Sequence, residues 1–338
     1  MQSRRARREG IECRRLLRGA ARWPFWQGRT PVDEHIPVLV DEVLEVLAPS
    51  AGGFYVDGTF GRGGHTARLL QAIGASGSVL ALDRDPQAIA AGHQRFPDEP
   101  RLELVHADFA QLSRVVAEHG RDRPVRGVLL DLGVSSPQLD DPSRGFSFSK
   151  DGPLDMRMDP TRGESAADFV ARADERELFQ VIAELGEERH ARRIARAIVS
   201  TRVEAPLRRT GELAELVQRV VRTHDGKHPA TRTFQALRMH VNDELGQLQR
   251  GLEAAFAVLA PGGRLAVISF HSLEDRRVKH FIRERSMIDP VYAGLPNIPE
   301  SAQPRMREVG RKHRASDAEI ARNPRSRSAV LRCGERLR

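Results

Sequence analysis

Apolar residues in the first third of the chain switch repeatedly between two spacings. From Ile36 to Leu47 they recur at the period of a helix with one buried face. The next apolar stretch, Phe54-Tyr-Val56, is a short aromatic and β-branched run that suits a buried strand. Residues 66–73 read as a helix, 77–83 as a second buried strand ending in Asp83, 102–109 as a third strand, 111–119 as a helix and 125–134 as a fourth strand. After Asp83, Asp85-Pro86 has the form of a cap followed by a proline in the first helical turn, where a missing N–H costs nothing. Strand and helix alternating in this way imply an α/β domain, a parallel sheet with helices on both faces. Such sheets bind ligands outside the carboxyl ends of their strands, where Gly63, Asp83, Asp108 and Asp131 would meet.

The rhythm breaks over residues 143–240, which carry helical patterns and no strong strand signal. Asp174-Glu-Arg-Glu177 is a capping-box pattern ahead of an apolar run to Leu185, an Arg-rich helix is expected at 187–201, and a third helix at about 211–221. The α/β pattern resumes with a long helix to Leu259, a turn at Pro261-Gly-Gly263, a strand at 264–270 and a last strand at 326–333. The expected organisation is a disordered basic arm at 1–34, a main domain built from 35–142 and 241–338, and a helical subdomain inserted at 143–240.

With 338 residues, 40% hydrophobic and 30% charged, the chain has material for one large domain with such an insertion. It contains no run of about 18 apolar residues, the length a membrane-spanning helix requires. Its two cysteines, Cys13 and Cys333, supply neither a disulfide framework nor a cysteine zinc site, which fits a reducing, cytoplasmic setting. The net charge of +8 is uneven: residues 1–30 carry +7 and residues 305–338 carry +7, which leaves −6 for residues 31–304. Basic ends on a mildly acidic body point to a polyanionic partner such as nucleic acid.

Candidate chemistry gathers at the strand ends. Gly58, Gly61, Gly63 and Gly64 lie between the first strand and its helix, and Asp83 follows Gly64 by 19 positions. A glycine loop, a helix and an acid about 20 residues on make a nucleotide or nucleoside pocket, the acid taking the ribose hydroxyls. Asp131-Leu-Gly-Val-Ser-Ser-Pro-Gln138 puts acceptors at the mouth of that pocket. The exocyclic amine of cytosine or adenine is a poor nucleophile, so methylating it calls for fixed oxygens that hold its N–H groups and aim its nitrogen. Two further clusters, His228-Pro-Ala-Thr-Arg-Thr-Phe-Gln-Ala-Leu-Arg238 and Ser269-Phe-His-Ser-Leu-Glu-Asp-Arg276, mix hydroxyl, imidazole and guanidinium groups suited to phosphate and base contacts, with Phe234 or Phe270 for stacking. No spacing of ligand residues suggests a metal. The pocket alone does not exclude a nicotinamide-dependent oxidoreductase, although the glycines miss the G-x-G-x-x-G spacing and no second nucleotide-binding half is present. The basic ends also suit a non-catalytic RNA-binding or ribosome-assembly protein.

From His35 to about Arg336 the sequence resembles the bacterial 16S rRNA cytosine N4-methyltransferases of the small-subunit methyltransferase H (MraW) type. The motifs that carry the resemblance are His35-Ile-Pro-Val-Leu, Asp57-Gly-Thr-Phe-Gly-Arg-Gly-Gly-His65, Asp83-Arg-Asp-Pro86, Asp131-Leu-Gly-Val-Ser-Ser-Pro-Gln-Leu-Asp140, Leu154-Asp-Met-Arg-Met-Asp159, the His228 and Ser269 clusters, and Asn323-Pro-Arg-Ser-Arg-Ser328. The resemblance implies a Rossmann-like class I fold and S-adenosyl-L-methionine-dependent N4-methylation of one cytidine in the decoding centre, on 16S rRNA in the small ribosomal subunit. It implies that Gly63, Gly64 and His65 line the cofactor's methionine side, that Asp83 takes the ribose, that Phe109 packs by the adenine, and that Asp131 and Gln138 complete the site. Direct in-line transfer would follow, with Asp131, Ser135 or Ser136 orienting the amine, the insert recognising RNA through Arg189, Arg192, Arg193, Arg196, Arg208 and Arg209, and a homodimer as a possible assembly.

Overall fold

The computed structural model describes residues 37–221, 228–292 and 294–338, so the arm expected at 1–34 lies outside the described residues. A first helix, α1 (Val40–Leu47), leads into β1 (Phe54–Asp57), α2 (Gly64–Ile73), β2 (Ser78–Asp83), α3 (Pro86–Arg95), β3 (Leu102–His106), α4 (Leu112–His119) and β4 (Val125–Asp131). Asp85 caps α3 as its sequence suggests, its carboxylate accepting the Gln87 N–H with Pro86 in the first turn. The third strand is shorter than the apolar pattern implied, because Phe109–Gln111 turns into a 3-10 helix.

Strand order in the sheet is β3-β2-β1-β4-β5-β8-β6, where β5 is Leu259–Ser269, β6 is Met306–Glu308 and β8 is Val330–Arg336; β7 (His313–Arg314) also pairs with β8. The five strands from β3 to β5 are parallel, whereas β8 runs antiparallel to β5, so the sheet is not wholly parallel as the early rhythm implied. Order reverses between β1 and β4, and the crevice outside their carboxyl ends is the natural ligand site of the fold. Pro261-Gly-Gly263 proves to be a bulge inside β5 and not a turn before it: register jumps from Val125 opposite Leu259 to Gly127 opposite Arg264.

Between β4 and β5 the chain forms α5 (Ser136–Asp140), α6 (Ala166–Arg172), α7 (Glu175–Gly186), α8 (Ala191–Glu204), α9 (Thr210–Val220), α10 (Thr231–Val241) and α11 (Glu244–Val258). The expected long helix to Leu259 is α11, and a break at residues 242–243 separates it from α10. Asp243 adopts a left-handed backbone, with φ of 47°. The neighbouring Asn242 turns inward, accepting the Met158 N–H at 2.8 Å and donating to the Met156 carbonyl at 2.7 Å, so a tertiary bond replaces helical continuity. Sequence periodicity also missed α6 and the helix α12 (Ser272–Arg285), whose first turn is the polar Ser269 cluster.

Apolar packing falls into three groups. Two cover the faces of the sheet, one against α4, α11 and α12 and the other against α1 and α2. The third is made almost wholly from residues 146–237 and is centred on Phe169, Leu178, Ile182, Ile194 and Leu213. The helical segment therefore has a core of its own, although contacts across the chain join Ile36–Arg338 into one compact unit. Among the described residues no helix is long and apolar enough to cross a membrane.

Candidate active site

The carboxyl ends of β1, β2 and β4 bring three aspartates to one crevice. Asp57 ends β1 and is buried; Thr66 of α2 donates to it at 2.7 Å and the Thr59 N–H at 3.1 Å. Burial outweighs those bonds and pushes its carboxyl up to about 6. Asp83 ends β2 and accepts the Gly61 N–H at 2.7 Å and the Asp85 N–H at 2.8 Å. Burial first, then the charges of Asp85 and Asp57, push it up to about 6 against those two bonds.

Asp131 ends β4 and is the least satisfied of the three. Its backbone is pinned by a 2.6 Å bond from its N–H to the Thr59 hydroxyl. One carboxylate oxygen lies 3.6 Å from His65 Nε2, while the other, Oδ1, is buried without a partner among the described residues. Burial, Asp57 and Glu274 together push the carboxyl up to about 8. A buried carboxyl with a free lone pair, compressed by neighbouring negative charge, is a site prepared for a positive or N–H-bearing ligand.

The glycine loop is fixed by packing. Gly63 caps α2 with φ of 70°, in the left-handed region, and a Cβ there would lie 2.6 Å from the Phe60 ring and 2.8 Å from Phe96. At Gly64 a Cβ would meet Pro37 at 2.8 Å. The loop therefore brings its backbone and the N-terminus of α2 to the crevice, with the buried His65 behind it. Phe109 lies just past β3, its ring against α11 at Gly251 and its Cβ beside Gly58.

Beyond Asp131, Ser135 and Ser136 lie half-buried at the start of α5. Gln138 is buried and its amide is committed at both ends, accepting the Ser135 N–H at 2.9 Å and donating to Asp85 at 2.8 Å. Across the crevice mouth, Leu132 N–H bonds to the Ile268 carbonyl, which sets the end of β5 beside this loop, and Phe270 comes near Gly133. Phe270 is half-buried there and packs against the sheet's apolar face, whereas Phe234 is only 4% exposed and packs in the helical core against Phe148, so the sequence expectation for Phe234 fails.

Sequence reading missed Glu274. Buried on α12, it accepts the Phe270 N–H at 2.8 Å and pairs with His271 at 3.1 Å. Burial alone would raise its carboxyl, but the His271 bond and charge, the Phe270 N–H and Arg238 hold it below the ordinary range. Arg238 in turn grips Glu244 through two bonds of 2.7 and 2.8 Å. Glu244, His271 and Glu274 bring ligand atoms within 4.8 Å of one another, but two carboxylates here already face a guanidinium and an imidazole. The signals of this network were the polarity of the Ser269 cluster and Arg238 at the end of the His228 cluster.

A family model described as the MraW methylase family matches residues 33–337. The Ribosomal RNA small subunit methyltransferase H of Halorhodospira halophila is 54% identical over 305 residues, covering 90% of this chain and 94% of that protein. The protein of the same name from Thioalkalivibrio sulfidiphilus is 55% identical over 309 residues, covering 91% of this chain and 98% of that protein. Among solved structures, a rRNA methylase from Streptococcus thermophilus superposes with a TM-score of 0.39 at 15% identity, covering 88% of this chain and 94% of its own.

Proposed function

The chain belongs to the MraW methylase family, and on that premise we propose that it methylates the exocyclic N4 of one cytidine in the decoding centre of 16S rRNA within the small ribosomal subunit. Family membership carries the coarser statement: an S-adenosyl-L-methionine-dependent methyltransferase of small-subunit ribosomal RNA, with a class I methyltransferase fold.

The crevice suits that cofactor. When bound, S-adenosyl-L-methionine supplies an electrophilic methyl on a sulfonium, and it also carries an ammonium group. Three aspartates whose carboxyls are pushed up by burial, Asp83 and Asp131 also by neighbouring negative charge, are matched to such cationic character. In our reading Gly63, Gly64 and His65 hold the methionine side, Asp83 takes the ribose hydroxyls and Phe109 packs beside the adenine. Gln138 keeps the loop over the site in place.

The observation that carries the amine as acceptor is the partnerless oxygen of Asp131 at the strand mouth, on the strand end that leads into the loop of Ser135 and Ser136. That oxygen accepts an N–H of the target amine, and the serine hydroxyls complete the orientation of the nitrogen. Methylation of a pyrimidine ring carbon would need a nucleophile to add to the ring first. Cys333 is the one cysteine among the described residues, and it is buried in β8 with its thiol pushed up to about 12 by burial. A direct transfer without a covalent enzyme intermediate fits these residues better.

The insert is the RNA-reading element in this account. Arg193 and Arg208 are exposed and enter no ion pair among the described residues, while Arg196 faces Glu175 at 3.6 Å and Arg209 faces Asp151 at 2.5 Å. The test is mass mapping of nucleosides in small-subunit RNA taken from cells lacking the endogenous activity, after incubation with protein and cofactor. N4-methylcytidine at one decoding-centre position is the expected product; a methyl on another atom or base would overturn the assignment.

A further inference from the structure

The segment that carries Asp83 and the segment that carries Ser135 and Ser136 are joined by a buried polar junction. Asp85 is its centre. Its N–H donates to Asp83 at 2.8 Å, one carboxylate oxygen accepts the Gln87 N–H at 2.9 Å, and the other accepts Gln138 Nε2 and Arg144 Nη1, each at 2.8 Å. Gln138 passes the connection to the Ser135 N–H at 2.9 Å. Arg144 passes it the other way, to the Met158 carbonyl at 2.8 Å and the Arg157 carbonyl at 3.1 Å.

The same strap of residues 156–158 is held by Asn242, whose own carbonyl accepts Arg84 Nη1 at 2.9 Å. Residues 83–87 are thus bonded both to the loop before α5 and to the helical insert. Asp85, Gln138 and Arg144 are 3%, 5% and 6% exposed, so the junction is dry and each of its bonds is short. A fully satisfied buried network of this kind is rigid, and movement at one end must be accommodated at the others.

We propose that Asp85, with Gln138 and Arg144, is a positioning residue that couples occupation of the Asp83 side to the placement of the Ser135–Ser136 loop and the insert, so that cofactor and RNA each strengthen the other's binding. The proposal rests on the reading of the crevice as cofactor site and the insert as RNA reader. None of the three side chains need touch a reacting atom. Coupling between two ligands is reciprocal, and a factor of about 5 to 150 is the usual range.

The experiment measures the dissociation constant of S-adenosylhomocysteine by calorimetry, with and without saturating small-subunit RNA, for the full-length protein and for Gln138→Met. Methionine matches glutamine in length but makes neither bond. We expect RNA to tighten S-adenosylhomocysteine by at least fivefold in the unaltered protein and by less than twofold in Gln138→Met, the ratio of the two dissociation constants being the readout whatever the affinity without RNA.

A second variant, Ser135→Pro, removes the N–H that Gln138 accepts together with the hydroxyl, at a backbone φ of −73° that proline tolerates. It should lose the coupling as well, whereas Ser135→Ala should keep it. The proposal is overturned if the unaltered protein shows no coupling, or if Gln138→Met loses S-adenosylhomocysteine affinity tenfold with its coupling factor intact. It is equally overturned if both junction variants lose thermal stability alone. No methyl transfer enters this readout, so a wrong assignment of the methylated atom would appear in nucleoside mapping and leave the coupling result standing.

Discussion

The strand-end crevice and the helical insert use polar residues in opposite ways. In the crevice, Asp57, Asp83, Asp131 and Glu274 are drawn inside, where burial shifts the three aspartates up, with neighbouring charge adding to it at Asp83 and Asp131, and ion pairing holds Glu274 down. In the insert the core is apolar, and arginines stand on the outside or pair with nearby acids. The difference teaches where each function can tolerate change. Groups that act on a bound ligand are fixed by backbone geometry and cannot move, whereas groups that meet a long polyanion act by number and placement.

The largest effect should come from the rigid side. Gly63→Ala forces a side chain into a left-handed backbone, at about 1–2 kcal/mol, and drives its Cβ against Phe60 and Phe96. Calorimetry should show loss of cofactor binding by more than about 100-fold, with a lower melting temperature. An unchanged affinity would mean that the glycine loop does not shape the pocket.

The aspartates set a pH dependence next in size. Their folded values lie above the ordinary carboxyl range, so the protein without ligand is steadied by protons: that contribution is complete below about pH 4 and is lost as pH rises through about 6 for Asp57 and Asp83 and about 8 for Asp131. A cationic ligand prefers the ionised form, so its affinity should climb by up to about tenfold per pH unit below 8 and level off above it. Thermal melts with and without S-adenosylmethionine at pH 5.5, 7 and 8.5 check both slopes. A larger stabilisation at pH 5.5 than at 8.5 would contradict the account.

The surface side gives smaller, additive effects. Reversing Arg193 and Arg208 to Glu should weaken RNA binding and reduce the slope of log affinity against log salt by roughly 1.5, since each phosphate contact contributes about 0.7 to 0.9. Reversing Arg196 and Arg209, which already face Glu175 and Asp151, should change the slope by less. Equal effects of the two pairs would remove the distinction between paired and free arginines.

Sequence pattern revealed the α/β half well because its signals are local. Apolar runs gave β1, β2 and β4, Asp85-Pro86 gave the start of α3, and the loop-to-Asp83 spacing marked the crevice. What escaped depends on distant partners. Asn242 ends a helix because residues 156–158 need its amide, and Arg144 looks like any arginine until it is found 2.8 Å from Asp85. Glu274 read as part of a polar turn, since nothing near it in sequence says that α12 carries it under the crevice. Phe234 read as a stacking surface because an apolar residue among polar ones looks exposed, while the helical period of α10 turns it inward.

The central claim is that Asp131 holds the reacting amine and does not serve the cofactor alone. Single-turnover methylation by Asp131→Asn, at saturating cofactor and with S-adenosylhomocysteine affinity measured on the same preparation, tests it most directly. The account predicts a loss of about 100- to 1000-fold in the transfer rate with ligand affinity changed by less than about tenfold, the usual consequence of removing one fixed charge-stabilising group. A variant that transfers methyl at the normal rate once saturated, and suffers only in cofactor affinity, would contradict it.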